Sequence, residues 1–343
     1  MLFNTIATVA LAATSVHAHG NLKREIAMRS AMLEHTSRDL SHCSSKLKAR
    51  GFEERAVQRR SETLNQLLKK RNIKTRRSVE SVLATDHNET ASGYTMGTPE
   101  NVIFASNGSC TLTPEGESGP YYVAGEYIRT DLAEDVEGIP VHYEFQILDV
   151  DTCEPIVGSY FEIFNANSTG VYSGTTNTNN GNTNDTSVLN ETWLRGLQPT
   201  DDEGVVNFDT VFPGHYDGRA THIHTLLHGS NATARANGTV LDTSFTHIGQ
   251  TFWDQSVRDL VEQTYPYSTN TKALTTNADD FVFLVEAPTS DPVFRYVQLG
   301  ETIEDGFLAW MVLAVNRTLS TTVDPAAVYY ETGGVELEHS SLM

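Results

Sequence analysis

From Val141 to Asn316 the chain is a series of short aromatic and β-branched runs broken by turn residues, and no other feature limits the fold so much. "VHYEFQILDV" (Val141–Val150), "SYFEIFNA" (Ser159–Ala166), "GVVNFDTVF", "THIHTLLH", "DDFVFLVEA" and "WMVLAVNRT" each have the length and residue types of a strand. Few helical signals separate them. Strands at this spacing predict a mainly β fold, an antiparallel β-sandwich over residues 106–325.

The region before it is different. Ile26, Leu33, Leu40 and Leu47 recur every seven residues up to Gly51, and Val57, Leu64, Leu67 and Leu68 form a second apolar set. Residues 19–77 therefore read as an N-terminal helical hairpin that packs on the body or on a second subunit. Polar Arg29 and Thr36 fall on the heptad seam and argue against a self-contained coiled coil. The dibasic pairs Arg59-Arg60, Lys69-Lys70 and Arg76-Arg77 read as a solvated helix face rather than processing sites. Residues 78–105 are expected to be a linker and 326–343 a polar tail.

Residues 1–18 read as a signal peptide, with the apolar block "IATVALAA" ahead of Val16-His17-Ala18. No apolar run reaches the length of a membrane span. Eight Asn-x-Ser/Thr sequons, at Asn88, Asn107, Asn167, Asn184, Asn190, Asn231, Asn237 and Asn316, fit a secreted glycoprotein. Of three cysteines, Cys110 and Cys153 lie in the part expected to fold and are the expected disulfide, leaving Cys43 over. The net charge of −20 is split unevenly. Residues 19–80 hold 16 Lys+Arg against 7 Asp+Glu, whereas residues 81–343 hold 8 against 37. A body so acidic is not expected to bind nucleic acid, because phosphate contacts need clustered cations.

The chemistry gathers in "FPGHYDGRATHIH" (Phe212–His224). Side chains at i and i+2 of a strand share a face, so His222 and His224 project side by side. Tyr216 stands six residues before His222 and Arg219 three before it. A phenol beside two imidazoles suits a hard, highly charged ion better than zinc. Iron(III) is well served by two phenolates and two imidazoles, and the metal itself must deprotonate the phenols. The residues alone leave the second phenolate open. "NANSTGVYSGTTNTNNGNTNDTSVLNET" (Asn165–Thr192) is Asn/Thr/Gly-rich and reads as a long exposed loop, which makes Tyr172 within it conspicuous.

Two longer segments carry a family resemblance. "EIFNANSTGVYSG" (Glu162–Gly174) and "WLRGLQPTDDEGVVNFDTVFPGHYDGRATHIH" (Trp193–His224) resemble the intradiol ring-cleavage dioxygenases, in particular their secreted eukaryotic branch. The resemblance spans roughly residues 108–300. It implies one non-haem Fe(III) per chain on Tyr172, Tyr216, His222 and His224, with Tyr216 and His224 as the axial pair. It implies a catechol-type substrate and O2, displacement of Tyr216 by the bound catechol, and cis,cis-muconate-type products. Arg219 would stabilise developing negative charge, and Gln250, in "GQTFWD", would orient the reacting group. "TPEGESGPYYV" (Thr113–Val123) is similar to the family's entry segment, so Tyr121 and Tyr122 become candidate pocket residues. The oligomeric state is expected to be monomer or homodimer.

Two other readings fit parts of the sequence. A non-catalytic, secreted β-sandwich binding module would use the same tyrosines and histidines as a surface. A copper oxidoreductase would use His19 as a new amino terminus, but the helical segment that follows argues against it.

Overall fold

The computed structural model describes residues 40–71, 109–111, 119–176, 181–182, 185–287 and 290–337. The expected signal peptide and linker, Ile26 and Leu33 of the heptad, His19, Arg76-Arg77 and the sequons at Asn88, Asn107 and Asn184 lie outside the described residues.

The strands in chain order are β1 (Ser109–Thr111), β2 (Val123–Ala124), β3 (Glu126–Tyr127), β4 (Pro140–Asp149), β5 (Tyr160–Phe164), β6 (Arg195–Pro199), β7 (Val205–Val211) and β8 (His222–His228). They continue with β9 (Thr239–Val240), β10 (Ser244–Phe252), β11 (Arg295–Gln298), β12 (Phe307–Val315), β13 (Thr321–Thr322), β14 (Ala327–Tyr330) and β15 (Gly333–Glu336). The helices are α1 (Ser44–Ala49), α2 (Phe52–Lys70), α3 (Gln255–Val261) and α4 (Phe281–Glu286).

Two five-stranded sheets make the body. One runs β1-β12-β4-β7 with β11 beside β12, and the other runs β13-β10-β8-β5-β6. The second is antiparallel throughout, whereas the first has parallel pairs at β1–β12 and β12–β4. Between the sheets lies an aromatic core in which Trp253 contacts Phe212, Phe294, Tyr296 and Phe307. Alternation explains the layering: on β7, Phe208 turns inward while Asn207 and Asp209 stay half-buried. Burying this much apolar surface is the main driving force for the two-sheet arrangement.

The helical arm packs on the body, as one of the two sequence-based options had it. Leu40, Leu47 and Phe52 join Leu148, Val150 and Ala314 in one cluster. Leu67, with Val57, Leu64 and Leu68, covers Val297, Leu299, Leu308 and Trp310. Gly51 between α1 and α2 sits at φ +63°, a left-handed turn that glycine takes without strain. The dibasic pair Arg59-Arg60 is not a solvated face. Both side chains bond the fully buried Glu144 carboxylate, Arg59 at 3.0 Å and Arg60 at 2.8 Å, and Arg60 also lies over Trp310.

The disulfide expectation is corrected. Cys43 bonds Cys153, and Cys110 is on β1 beside Leu313 of β12. Docking of the arm decides the pairing, because it carries Cys43 to the turn after β4, where Cys153 holds a left-handed φ of +60°. His42 lies near the two sulfurs, but their bond to each other uses them up as metal donors.

Three local expectations also change. "DDFVFLVEA" is helix α4, not a strand, capped by Asp280, whose carboxylate accepts from the Phe283 N–H. The region taken for a polar tail contains β14 and β15, and β14 pairs in parallel with β2. The loop after β5 is not fully exposed: Asn165, Ser168, Tyr172, Ser173, Thr175 and Asn182 are all buried. Asn182 bonds the Tyr172 backbone and the Thr175 carbonyl, and the Ser173 hydroxyl donates to the Trp193 carbonyl, which lowers the cost of burying them.

Candidate metal centre

Strand β8 sits between β10 and β5, with Gln250 opposite His224 on one side and Phe164 opposite it on the other. His222 and His224 share the strand face that meets Tyr172 and Tyr216. The turn closes through Arg219 N–H donating to the Tyr216 carbonyl at 3.1 Å. The loop is held by Asn182, whose side chain accepts from Tyr172 N–H at 2.7 Å and donates to the Tyr172 carbonyl at 3.0 Å.

The four side chains meet. His222 Nε2 lies 3.2 Å from His224 Nε2, 3.2 Å from the Tyr216 hydroxyl and 3.5 Å from the Tyr172 hydroxyl. All four residues are buried. His222 Nδ1 contacts the Ala220 carbonyl at 2.6 Å. A carbonyl only accepts, so Nδ1 carries a proton, and Nε2 is the nitrogen whose lone pair the neutral ring would offer a metal. The His224 ring is fixed differently, stacked on Phe164 at 4.2 Å and 5°. Burial raises both phenols above their ordinary range, and for Tyr216 the Arg219 charge opposes that rise.

Two imidazoles and two phenols in contact at one buried point fit a small, highly charged cation. Losing two phenolic protons would supply the anionic oxygens, and the lone pair at His222 Nε2 is already aimed at the shared point. The donor set fits iron(III) by charge and hardness.

Around this point the other expected residues divide. Arg219 is buried: Nε donates to Asp280 at 2.9 Å, Nη1 reaches the Tyr216 hydroxyl at 3.4 Å, and Nη2 donates to Gln250 Oε1. It is therefore no surface ion pair. Tyr121 stacks on Tyr172 at 4.3 Å and meets Tyr216 edge-on at 5.7 Å, while its hydroxyl accepts from Gly181 N–H. Tyr122 points elsewhere. It packs on Phe245 and donates to the Asp242 carbonyl, so it supports the wall behind the site. Gly119 belongs beside the site, at φ +70°, where a Cβ would stand 3.4 Å from His224 Cε1.

Sequence reasoning missed two buried ions. Arg195, in the "LRG" element, donates to the carbonyls of Tyr121 and Ser173 and lies over the Phe164 and Tyr172 rings. Asp280 falls inside "DDFVFLVEA", whose residue types read as a strand. A signal existed for Asp280, since an acidic residue directly before an apolar run also marks a helix start. For Arg195 the sequence held none beyond its motif.

A second buried charge group lies along the same strand. His228 bridges Glu162 at 2.8 Å and Asp242 at 3.1 Å. Burial disfavours its charge, but those two carboxylates outweigh burial and raise it. Glu126 is raised to about 8, because burial outweighs the nearby Arg195 charge. Both groups bind protons more readily folded than unfolded, so both contribute stability that is lost as pH rises. The window runs from the unfolded carboxyl range upward to about 8 for Glu126, and from the ordinary imidazole range upward for His228. Thermal unfolding of chelator-treated protein should give a lower Tm at pH 8 than at pH 5, by about 2 °C or more per kcal/mol lost. A Tm that rises over that interval would contradict the assignment.

No family model and no curated protein matches the chain. Among solved structures, it is similar to the crystal structure of a dioxygenase at 28% identity, covering 62% of this chain and 97% of that one, with a TM-score of 0.51. It is also similar to an intradiol ring-cleavage dioxygenase from Tetranychus urticae, at 28% identity, 61% and 96% coverage and a TM-score of 0.49. The fold of this chain is similar to that of a dioxygenase. The dioxygenase resemblance read from the sequence thus returns in three dimensions. A catechol 1,2-dioxygenase from Pseudomonas arvilla C-1 matches as well, at 15% identity, 88% and 87% coverage and a TM-score of 0.38.

Proposed function

We propose that this chain is a secreted non-haem iron(III) dioxygenase that opens catechol-type rings between the two hydroxyl-bearing carbons. The observation that carries the reading is the convergence of the Tyr172 and Tyr216 hydroxyls and His224 Nε2 on His222 Nε2, within 3.5 Å. Tyr172, Tyr216, His222 and His224 would hold the ion. When bound, iron(III) acts as a Lewis acid that activates the dihydroxylated ring toward O2.

The remaining work belongs to the chain. Ala220 keeps His222 in the tautomer that leaves Nε2 unprotonated. Tyr216 opens the turn that Arg219 closes, and as a phenolate its oxygen could take up a proton from an entering catechol hydroxyl. Arg219 places a fixed positive charge beside that oxygen, where negative charge would develop on the substrate. Gln250, joined to Arg219, orients the same group. Tyr121 covers the outer face of Tyr172 and restricts its movement.

Substrate charge follows from the same contacts. Arg219, the cation beside the Tyr216 hydroxyl, is matched by buried Asp280 at 2.9 Å. With that cation compensated, a neutral catechol, hydroxyquinol or larger plant phenolic suits the site better than a carboxylated ring. Secretion is supported by the Cys43–Cys153 disulfide and by the exposure of the Asn190 and Asn231 sequons.

Protein harvested from a secreting eukaryotic host should consume one O2 per catechol and release the muconate-type diacid. Tyr216→Phe should lower turnover at least about 100-fold, as expected for loss of a positioned proton acceptor, and shift the visible absorption. An unchanged spectrum would remove Tyr216 from the ligand set, and preference for protocatechuate would overturn the neutral-substrate reading.

A further inference from the structure

Asp280 is a heavily used carboxylate beside Arg219. It is fully buried, and its two oxygens take donors from two elements at once. Oδ2 accepts from Arg219 Nε at 2.9 Å and from Ala220 N–H at 2.7 Å. Oδ1 accepts from Phe283 N–H at 2.9 Å and meets Arg219 Nη2 at 3.4 Å. The Phe283 bond is the cap of α4, so the carboxylate is anchored to that helix. The Arg219 and Ala220 bonds tie the anchor to the turn that leads into β8.

We infer that Asp280 is a positioning residue that aims the Arg219 guanidinium at Tyr216 and Gln250; the inference rests on the iron-dioxygenase reading above. The geometry leaves little freedom. A guanidinium is planar, so fixing Nε and Nη2 against one carboxylate fixes its plane and the direction of Nη1. Nη1 then faces the Tyr216 hydroxyl at 3.4 Å, and Nη2 also reaches Gln250 Oε1. The Ala220 bond extends the same control to the metal side, because the Ala220 carbonyl receives His222 Nδ1–H. Displacing a charged group by about 1 Å can cost on the order of 100-fold in rate.

The test separates aiming from helix capping. Asn caps a helix about as well as Asp, and Ser nearly so, but neither supplies a carboxylate for a guanidinium. Asp280→Asn and Asp280→Ser are made in the full chain, loaded with iron, and compared by turnover per bound iron on catechol. Both should keep the iron and its visible band. Turnover per iron should fall on the order of 100-fold, with KM changed much less. Asp280→Asn combined with Arg219→Gln should be no slower than Arg219→Gln alone, because the two residues act as one unit.

Turnover per iron within twofold of the parent would overturn the inference, and so would losses that multiply in the double variant. Failure of both single variants to fold or to take up iron would also overturn it, leaving Asp280 as a structural cap. A parent protein that binds no iron and cleaves no ring would instead defeat the functional reading before any Asp280 variant is made.

Discussion

His222→Ala should empty the site of iron and abolish ring cleavage. Of the four converging residues, His222 is the one the other three all face, with contacts of 3.2, 3.2 and 3.5 Å to its Nε2. Removing it leaves one imidazole and two buried phenols, each of which burial holds protonated. Two phenols that must each lose a proton cannot make up for the missing neutral donor. The affinity for iron should fall by more than the 10- to 100-fold that loss of a ligand's hydrogen-bond partner costs. Metal analysis after dialysis checks this. Iron content equal to the parent's would remove His222 from the centre.

The second large effect concerns the arm. Replacing both Cys43 and Cys153 by alanine should destabilise the protein by about 3–5 kcal/mol in urea unfolding. The bond closes a loop of 110 residues in sequence, so its loss frees a large amount of unfolded-chain entropy. The arm also depends on Arg59 and Arg60, whose buried partner Glu144 belongs to β4. Without the covalent tie, these ion pairs, those of Lys46 and Arg50 with Glu154 and of Arg55 with Glu203, and the two apolar clusters must hold α1 and α2. A change below about 1 kcal/mol would show that the docked contacts suffice without it.

What the sequence made legible follows physical range. The His-x-His pair was readable because the two-residue repeat of a strand is local, and β8 keeps both imidazoles on one face. The Tyr216 turn was readable for the same reason. Tyr172 was not readable from pattern; only the family resemblance pointed to it. Its position depends on a loop whose Asn-rich surface looked solvated yet folds inward through Asn182. The segment Phe281–Glu286 misled because a short apolar run is the same in a buried helix and a buried strand. Disulfide pairing was out of reach because it follows from how the arm docks, a contact between residues more than 100 positions apart. Arg195 and Asp280 share that difficulty: a buried ion shows its role only once its partners are in place.

The most direct test of the central claim is metal content with visible absorption on the same purified sample. About one iron per chain is expected, with a phenolate-to-iron(III) band in the visible range that shifts when catechol enters. Zinc in place of iron, or a colourless protein that binds no metal, would contradict it.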